Sequence, residues 1–307
     1  MLAGGIGAAK FLRGLIRAVD PSALTVVVNT ADDERFFGLA VSPDLDTVTY
    51  TLAGVANPAT GWGLRGDSSV CLGALGRFFR DSGWFHLGDR DLATHIYRTT
   101  RLAAGVKLET VTAEICRAFG VTARVLPMSN DRVRTVLDTS EGRLTFQRYL
   151  VARRALPRVA ALRHLGAAHA RPAPGVVSAI RDAAAVIIAP SNPYFSIGPI
   201  LAVPGIRRAL AARCGPVAAI SPLIGRRAVS GPLARLLRRF GKPISAVGIA
   251  SFYRPFMNVL AIDRRDRADA PALAALGCRA VVADILLNTT ASAARFARQL
   301  LTALDLV

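Results

Sequence analysis

The side chains of this chain best suited to chemistry are carboxylates gathered in one short stretch. Asp32, Asp33, Glu34, Asp44 and Asp46 fall within fifteen positions, in a chain with only 21 acidic residues against 39 basic ones. An apolar run at 24–28 precedes them and reads as a buried strand. Carboxylates collected at the carboxyl end of a strand are how hard cations such as Mg²⁺ are held. Open α/β sheets also receive their ligands at that end. The plainer alternative is a solvated acidic loop whose aspartates cap a helix.

Two further loops carry groups suited to anions. Residues 1–3 read as the stub of a strand, either truncated or beginning upstream, and Gly4-Gly5-Ile6-Gly7-Ala8-Ala9-Lys10 follows at once. A helix to about Val19 comes next, because Ala8, Phe11, Leu12, Leu15, Ile16 and Val19 recur at helical spacing. Glycines between a strand and a helix let backbone amides approach a phosphate, and the helix N-terminus adds partial positive charge. Gly4, Gly5, Gly7 and Lys10 are therefore candidate phosphate-binding residues. The loop is not a P-loop, since no Ser or Thr follows Lys10. It is an imperfect dinucleotide fingerprint, since Lys10 stands where the third glycine belongs. The other loop, Pro190-Ser191-Asn192-Pro193, follows an apolar strand at 185–189. Ser191 and Asn192 there either orient a phosphate or ribose, or simply form a turn between two prolines.

These loops need a scaffold that brings strand ends together. After the acidic stretch a short helix is expected at 47–54, then a glycine-rich turn segment. Residues 68–120 have a helical pattern, and 134–138 and 143–147 flank Ser140-Glu141-Gly142 as a β-hairpin. From Pro174 strands and helices alternate: strands at 185–189, 217–220, 245–247, 259–262 and 279–283, with helices at 175–182, 206–213, 233–240 and 271–276 and a last helix from Ser292. Alternation with continuously apolar strands means a parallel sheet covered on both faces. The expected fold is α/β: a three-layer, Rossmann-like parallel sheet from residues 1–61 and 170–307, with a mostly helical insertion, containing the hairpin, at 62–169.

Composition narrows the function class. Hydrophobic residues make up 52% of the 307, enough for a large core, and no apolar run is long enough to span a membrane. The first residues do not have the order of a signal peptide, because Lys10 and Arg13 follow the apolar residues. The net charge of +18 invites a nucleic-acid reading. The basic residues are scattered, however, with no long block and no interleaved aromatic stripe, so a small anionic substrate is the better partner and no nucleic acid is expected. Cys71, Cys116, Cys214 and Cys278 are far apart, without a Cys-x-x-Cys. They read as buried hydrophobes in a reducing cytoplasm rather than a zinc or disulfide framework.

Taken in order, the loops resemble the 2-phospho-L-lactate transferase family. The stretches that carry the resemblance are Gly4-Gly5-Ile6-Gly7 with Lys10, Asn29-Thr30-Ala31-Asp32-Asp33, Ser42-Pro43-Asp44-Leu45-Asp46-Thr47 and Leu87-Gly88-Asp89-Arg90-Asp91-Leu92-Ala93-Thr94-His95. Leu126-Pro127-Met128-Ser129, Pro190-Ser191-Asn192-Pro193 with Ser196-Ile197-Gly198-Pro199-Ile200, and Ser221-Pro222-Leu223-Ile224-Gly225 with Ser230-Gly231-Pro232 complete the set. The resemblance implies transfer of a phospholactyl or related group from a guanosine diphosphate-linked donor. The acceptor is the ribityl hydroxyl of 7,8-didemethyl-8-hydroxy-5-deazariboflavin, GMP leaves, Mg²⁺ is required, and the product belongs to coenzyme F-420 biosynthesis. It also implies that Asp46 and His86 contact the acceptor, and that the protein is a homodimer. Ala8, in place of a frequent glycine, Arg226 after Ile224-Gly225, and His86 at a variable position depart from the family pattern.

The expected mechanism assigns Mg²⁺ to Asp32, Asp33 and Asp44, phosphate contacts to the glycine loop with Lys10, Ser191 and Asn192, and catalysis to Asp46 and Asp44. Asp46 takes the hydroxyl proton. Asp89, Arg90 and Asp91 form either an ion-pair cluster at a helix start or an acceptor or partner contact. His95, His164 and His169 are expected to be structural or superficial, and Trp62 and Trp84 to pack at the core or rim, the alternative being to stack on an acceptor ring. Two other classes compete: a nucleotide-binding regulator of the same fold, which lacks the need for the two acidic motifs together, and an NAD-dependent dehydrogenase, which needs the missing third glycine.

Overall fold

The computed structural model describes residues 1–80 and 83–306. Its frame is a seven-stranded parallel sheet built from β1 (Leu2–Ala3), β2 (Thr25–Val28), β3 (Arg124–Pro127), β4 (Val186–Ile188), β5 (Val217–Ile220), β6 (Val259–Asp263) and β7 (Arg279–Ala283). The spatial order is β7-β6-β5-β4-β1-β2-β3. Successive residues face opposite layers, as a strand's two-residue period requires. Leu2, Val27, Ile188 and Leu260 enter one apolar cluster, while Ala3, Val26, Val28 and Ala261 enter the other. Helices α1 (Gly5–Leu15), α2 (Pro43–Leu52), α3 (Asp89–Ala103) and α4 (Thr290–Ala303) bear most on the site. Phe11 of α1 meets Phe296 of α4 edge-on, ring centres 5.7 Å apart.

The chain runs outward through β1, β2 and β3, then crosses to the other side of β1 to form β4. The switch in direction lies between β1 and β4. Their carboxyl ends, at Gly4 and Ala189, open on a crevice where open α/β sheets bind ligands. The three-layer Rossmann-like architecture is thus present.

Several elements differ from the sequence expectation. β3 lies inside the 62–169 stretch and pairs with β2 along its whole length, from Thr25 opposite Arg124 to Val28 opposite Pro127. Helices at 70–118 precede it and the hairpin follows it. Four residues between Ala123 and Met128 are too few to display a period that separates them from their helical surroundings. The hairpin, Arg134–Thr139 with Gly142–Thr145, gains a third antiparallel strand, Val159–Leu165. No strand forms at 245–247. Ser245 instead caps a helix over Ala246–Tyr253, its hydroxyl accepting from the Gly248 amide at 3.3 Å. The helix expected at 47–54 begins at Pro43, a residue pre-shaped for a first helical position. Asp44 and Asp46 therefore lie within its first turn and are not caps. Cys71 and Cys214 are exposed, and only Cys116 and Cys278 are buried. Among the described residues no helix is long and apolar enough to cross a membrane.

Candidate active site

At the switch point lies a cavity of about 600 Å³. Gly4, Gly5, Gly7, Lys10, Asp32, Asp44, Asp46, His86, Ser191 and Asn192 all line it. Ten of the eleven residues expected from the sequence are thereby brought to one place. Asp33 is the exception: it is absent from the cavity wall, and its carboxylate accepts from Ser42 Oγ at 2.7 Å.

The glycine loop and the acidic motifs interlock. Asn29, fully buried at the end of β2, donates from Nδ2 to Asp32 Oδ2 and to Asp44 Oδ2, both at 2.9 Å. The Gly5 amide donates to Asp44 Oδ1 at 2.7 Å. A Cβ on Gly4 would sit 2.8 Å from Asp44 Oδ2, so the loop must be glycine for the carboxylate to come this near. Gly5 has φ +69°, in the left-handed region that glycine enters freely. Gly7 serves packing: a Cβ there would lie 2.2 Å from the Pro190 carbonyl oxygen. No side chain caps α1, so its first turn can still receive an anion although the Gly5 amide is engaged. Ser191 Oγ donates to the Gly4 carbonyl at 2.7 Å, stitching the β1 and β4 loops together. Asn192 Oδ1 accepts from the amides of Tyr194 and Phe195 and holds the following turn.

Asp32, Asp33 and Asp44 are an electrostatic problem as they stand. Burial, then the charges of Asp44 and Asp33, pushes Asp32 well above the usual carboxylate range. Burial pushes Asp33 well above it too, and raises Asp44 to about 6. Among the described residues Asp32 Oδ1 and Asp33 Oδ1 are buried without a hydrogen-bond partner. Orphaned, crowded carboxylate oxygens beside a cavity fit a hard divalent cation. Asp32 and Asp44, joined through Asn29, fit it best.

Asp46 sits in a different setting. Arg98, on α3, grips it with both terminal nitrogens: Nη1 donates to Oδ2 at 3.2 Å and Nη2 donates to Oδ1. His95 Nδ1 lies 3.7 Å from Asp46 Oδ2, and His95 Nε2 lies 3.2 Å from Asp91 Oδ2. The Tyr50 hydroxyl donates to Asp91 Oδ1 at 2.6 Å. Burial pushes Asp46 up, with Arg98 and His95 pulling against it. Burial also opposes the charge on Asp91, but His95, Tyr50 and Arg98 outweigh it and hold Asp91 below its ordinary value. Asp46, Asp91 and His95 are also a trio whose ligating atoms lie within 4.8 Å of one another. Arg98 already supplies the cation for Asp46, which makes this trio a poorer metal centre than Asp32 and Asp44.

Part of the remaining wall is aromatic. His86 meets Trp62 edge-on at 5.7 Å, and Trp84, Phe85 and Phe146 also face the cavity. The Arg148 guanidinium lies over the Trp84 ring at 5.2 Å. Asp89 and Arg90 are structural: Asp89 accepts from Ser68, Val70 and Cys71, and Arg90 pairs with Asp67. Of Asp89, Arg90 and Asp91, Asp91 is the one that reaches the cavity. His95 is buried rather than superficial and lies on the cavity wall, and Arg98 joins the group behind it. Asp91, His95 and Arg98 recur at i, i+4 and i+7, one stripe of a helix, and that spacing was the available signal. The departures are accommodated: Ala8 is fully buried, and Arg226, at φ +58°, has its amide bonded to Asp266 and its guanidinium to Asp269.

A cavity at the switch of a parallel sheet, with buried acids on one wall, defines a Rossmann-like α/β protein with its candidate site where such folds bind ligands. The chain belongs to the family described as 2-phospho-L-lactate transferase CofD, whose model matches residues 1–286. It is 41% identical over 306 residues to the phosphoenolpyruvate transferase of Streptomyces griseus, covering 98% of this chain and 96% of that one. It is 39% identical over 290 residues to the 2-phospho-L-lactate transferase of Methanosarcina mazei, covering 94% and 95%. A solved structure of a UPF0052 family member from Bacillus halodurans shares the fold, with a TM-score of 0.61 at 18% identity over 92% of this chain and 91% of that one. The protein is accordingly an enzyme, a transferase.

Proposed function

We propose that this enzyme moves a phospholactyl or phosphoenolpyruvyl group from a guanosine diphosphate-linked donor to the ribityl hydroxyl of 7,8-didemethyl-8-hydroxy-5-deazariboflavin, releasing GMP in coenzyme F-420 biosynthesis. The observation that carries this reading is the family match over residues 1–286, with the motif residues Asp32, Asp44, Asp46 and His86 gathered on one cavity. The α1 N-terminus and Lys10 receive the donor's diphosphate. Asp32 and Asp44, with Asp33 behind them, would hold Mg²⁺. When bound, Mg²⁺ neutralises charge on the diphosphate, which is what phosphoryl-type transfer most needs. The aromatic wall at Trp62, Trp84 and His86 takes the planar acceptor ring, and Asp46 accepts the proton of its hydroxyl. A cytoplasmic homodimer completes the proposal, and sedimentation of the purified protein tests the dimer.

The decisive experiment incubates the protein with the deazaflavin, Mg²⁺ and each guanylylated donor in turn (lactyl, enolpyruvyl, glyceryl) and follows GMP by mass spectrometry. Release with one donor is expected; no release with any donor overturns the reading. Within that assay Asp46→Asn should lose about 10²–10⁴-fold in turnover while remaining folded. Near-normal turnover would remove Asp46 from the mechanism.

A further inference from the structure

We infer that Arg98 is a positioning residue for the transfer, acting from behind the cavity by fixing the rotation of the Asp46 carboxylate. The inference rests on the reading that Asp46 meets the acceptor hydroxyl. Asp46, Asp91, His95 and Tyr50 all line the cavity, whereas Arg98 does not. Arg98 is 2% exposed and takes both Asp46 oxygens in a fork. It is itself braced: Nη1 lies 3.4 Å from the Ala40 carbonyl oxygen and 3.3 Å from His95 Nδ1. His95 Nε2 lies 3.2 Å from Asp91 Oδ2 but makes no hydrogen bond among the described residues, and the Tyr50 hydroxyl donates to Asp91. The result is a braced guanidinium on α3 that ends on an α2 carboxylate in the cavity wall.

Stability does not account for such a pair. A buried ion pair gains little over an apolar pair of the same volume, because both charges must leave water. Arg98 Nε, moreover, finds no hydrogen-bond partner among the described residues. What a bidentate guanidinium supplies is geometry. Two parallel bonds stop the carboxylate from turning, whereas a lysine at the same position would offer a single point of charge. Alcohol attack on a diphosphate requires the hydroxyl in line with the phosphorus, and a displacement near 1 Å costs about 10²-fold in rate.

The test compares Arg98→Ala and Arg98→Lys with the unmodified enzyme in the GMP-release assay. We expect both variants to lose about 10²-fold in kcat with donor KM nearly unchanged. Millimolar guanidinium should restore Arg98→Ala at least in part, and urea, of the same shape without the charge, should not. An Arg98→Ala enzyme with undiminished kcat, or one restored equally by urea, overturns the inference. If circular dichroism shows that Arg98→Ala does not fold, Arg98→Lys decides: a folded variant with full kcat overturns the inference, and a folded variant with depressed kcat supports it. Absence of GMP release by the unmodified enzyme overturns the proposed function and this inference with it.

Discussion

The amide of Asn29 lies between two buried acids, Asp32 and Asp44, that would otherwise repel each other. It gives each one hydrogen bond and leaves their crowding unresolved: burial still raises Asp44 to about 6, and Asp32 and Asp33 are raised as well. A carboxyl whose folded pKa exceeds its unfolded one binds its proton more tightly when folded. Its contribution to stability is full below about pH 4 and is lost as pH rises toward 6. For Asp44 alone, a rise from 3.8 to about 6 corresponds to about 3 kcal/mol. The metal-free protein should therefore melt at lower temperature at pH 8 than at pH 5. Mg²⁺ should raise the melting temperature strongly at pH 8 and weakly at pH 5, since protonated acids offer it little. Asp44→Asn should flatten both trends. Equal Mg²⁺ responses at the two pH values would argue against a cation at these aspartates.

At the scale of elements, two glycines of α1 let it sit where it does. Gly7 permits contact with the β4 loop, and Gly14 permits contact with α4, where a Cβ would lie 2.2 Å from the Ala293 carbonyl carbon. Gly14→Ala should cost about 1–3 kcal/mol by overpacking, measured by urea unfolding. Gly7→Ala should instead weaken binding of GDP, because the displaced element is the one proposed to meet the phosphates. A Gly14→Ala protein of unchanged stability would show that α1 and α4 can slide apart freely. The glycine pattern, the acidic motifs and the strand–helix alternation made most of the sheet and ten cavity-lining residues legible in the sequence. β3 was hidden because four residues carry no period. The helix at Ala246–Tyr253 was hidden because Ala246 and Val247 after Ser245 fit a strand as well as a helix. Arg98 escaped because its partner, Asp46, is fifty-two positions away, and only the packing of α2 beside α3 joins them. Asp33 read as a twin of Asp32, yet adjacent residues need not point the same way, and Ser42 holds Asp33 out of the cavity wall.

For the molecule as a whole, the excess of 39 basic over 21 acidic residues sets a long-range field of one sign. The cavity wall itself is acidic at Asp32, Asp44 and Asp46, so the field that draws an anion in cannot come from these residues. It must come from the scattered arginines outside, with Lys10 as the basic residue on the cavity wall. Such a field acts on approach and not on the chemical step. Surface charges are screened beyond about 10 Å at 0.1 M salt, whereas the buried Arg98–Asp46 pair is not. Raising salt from about 20 mM to about 300 mM should therefore lower kcat/KM for the donor by about tenfold and leave kcat within about twofold. Steady-state kinetics at fixed, saturating deazaflavin measure both. A fall in kcat of the same size would mean that salt reaches the buried pair, and the surface field would then not explain the dependence.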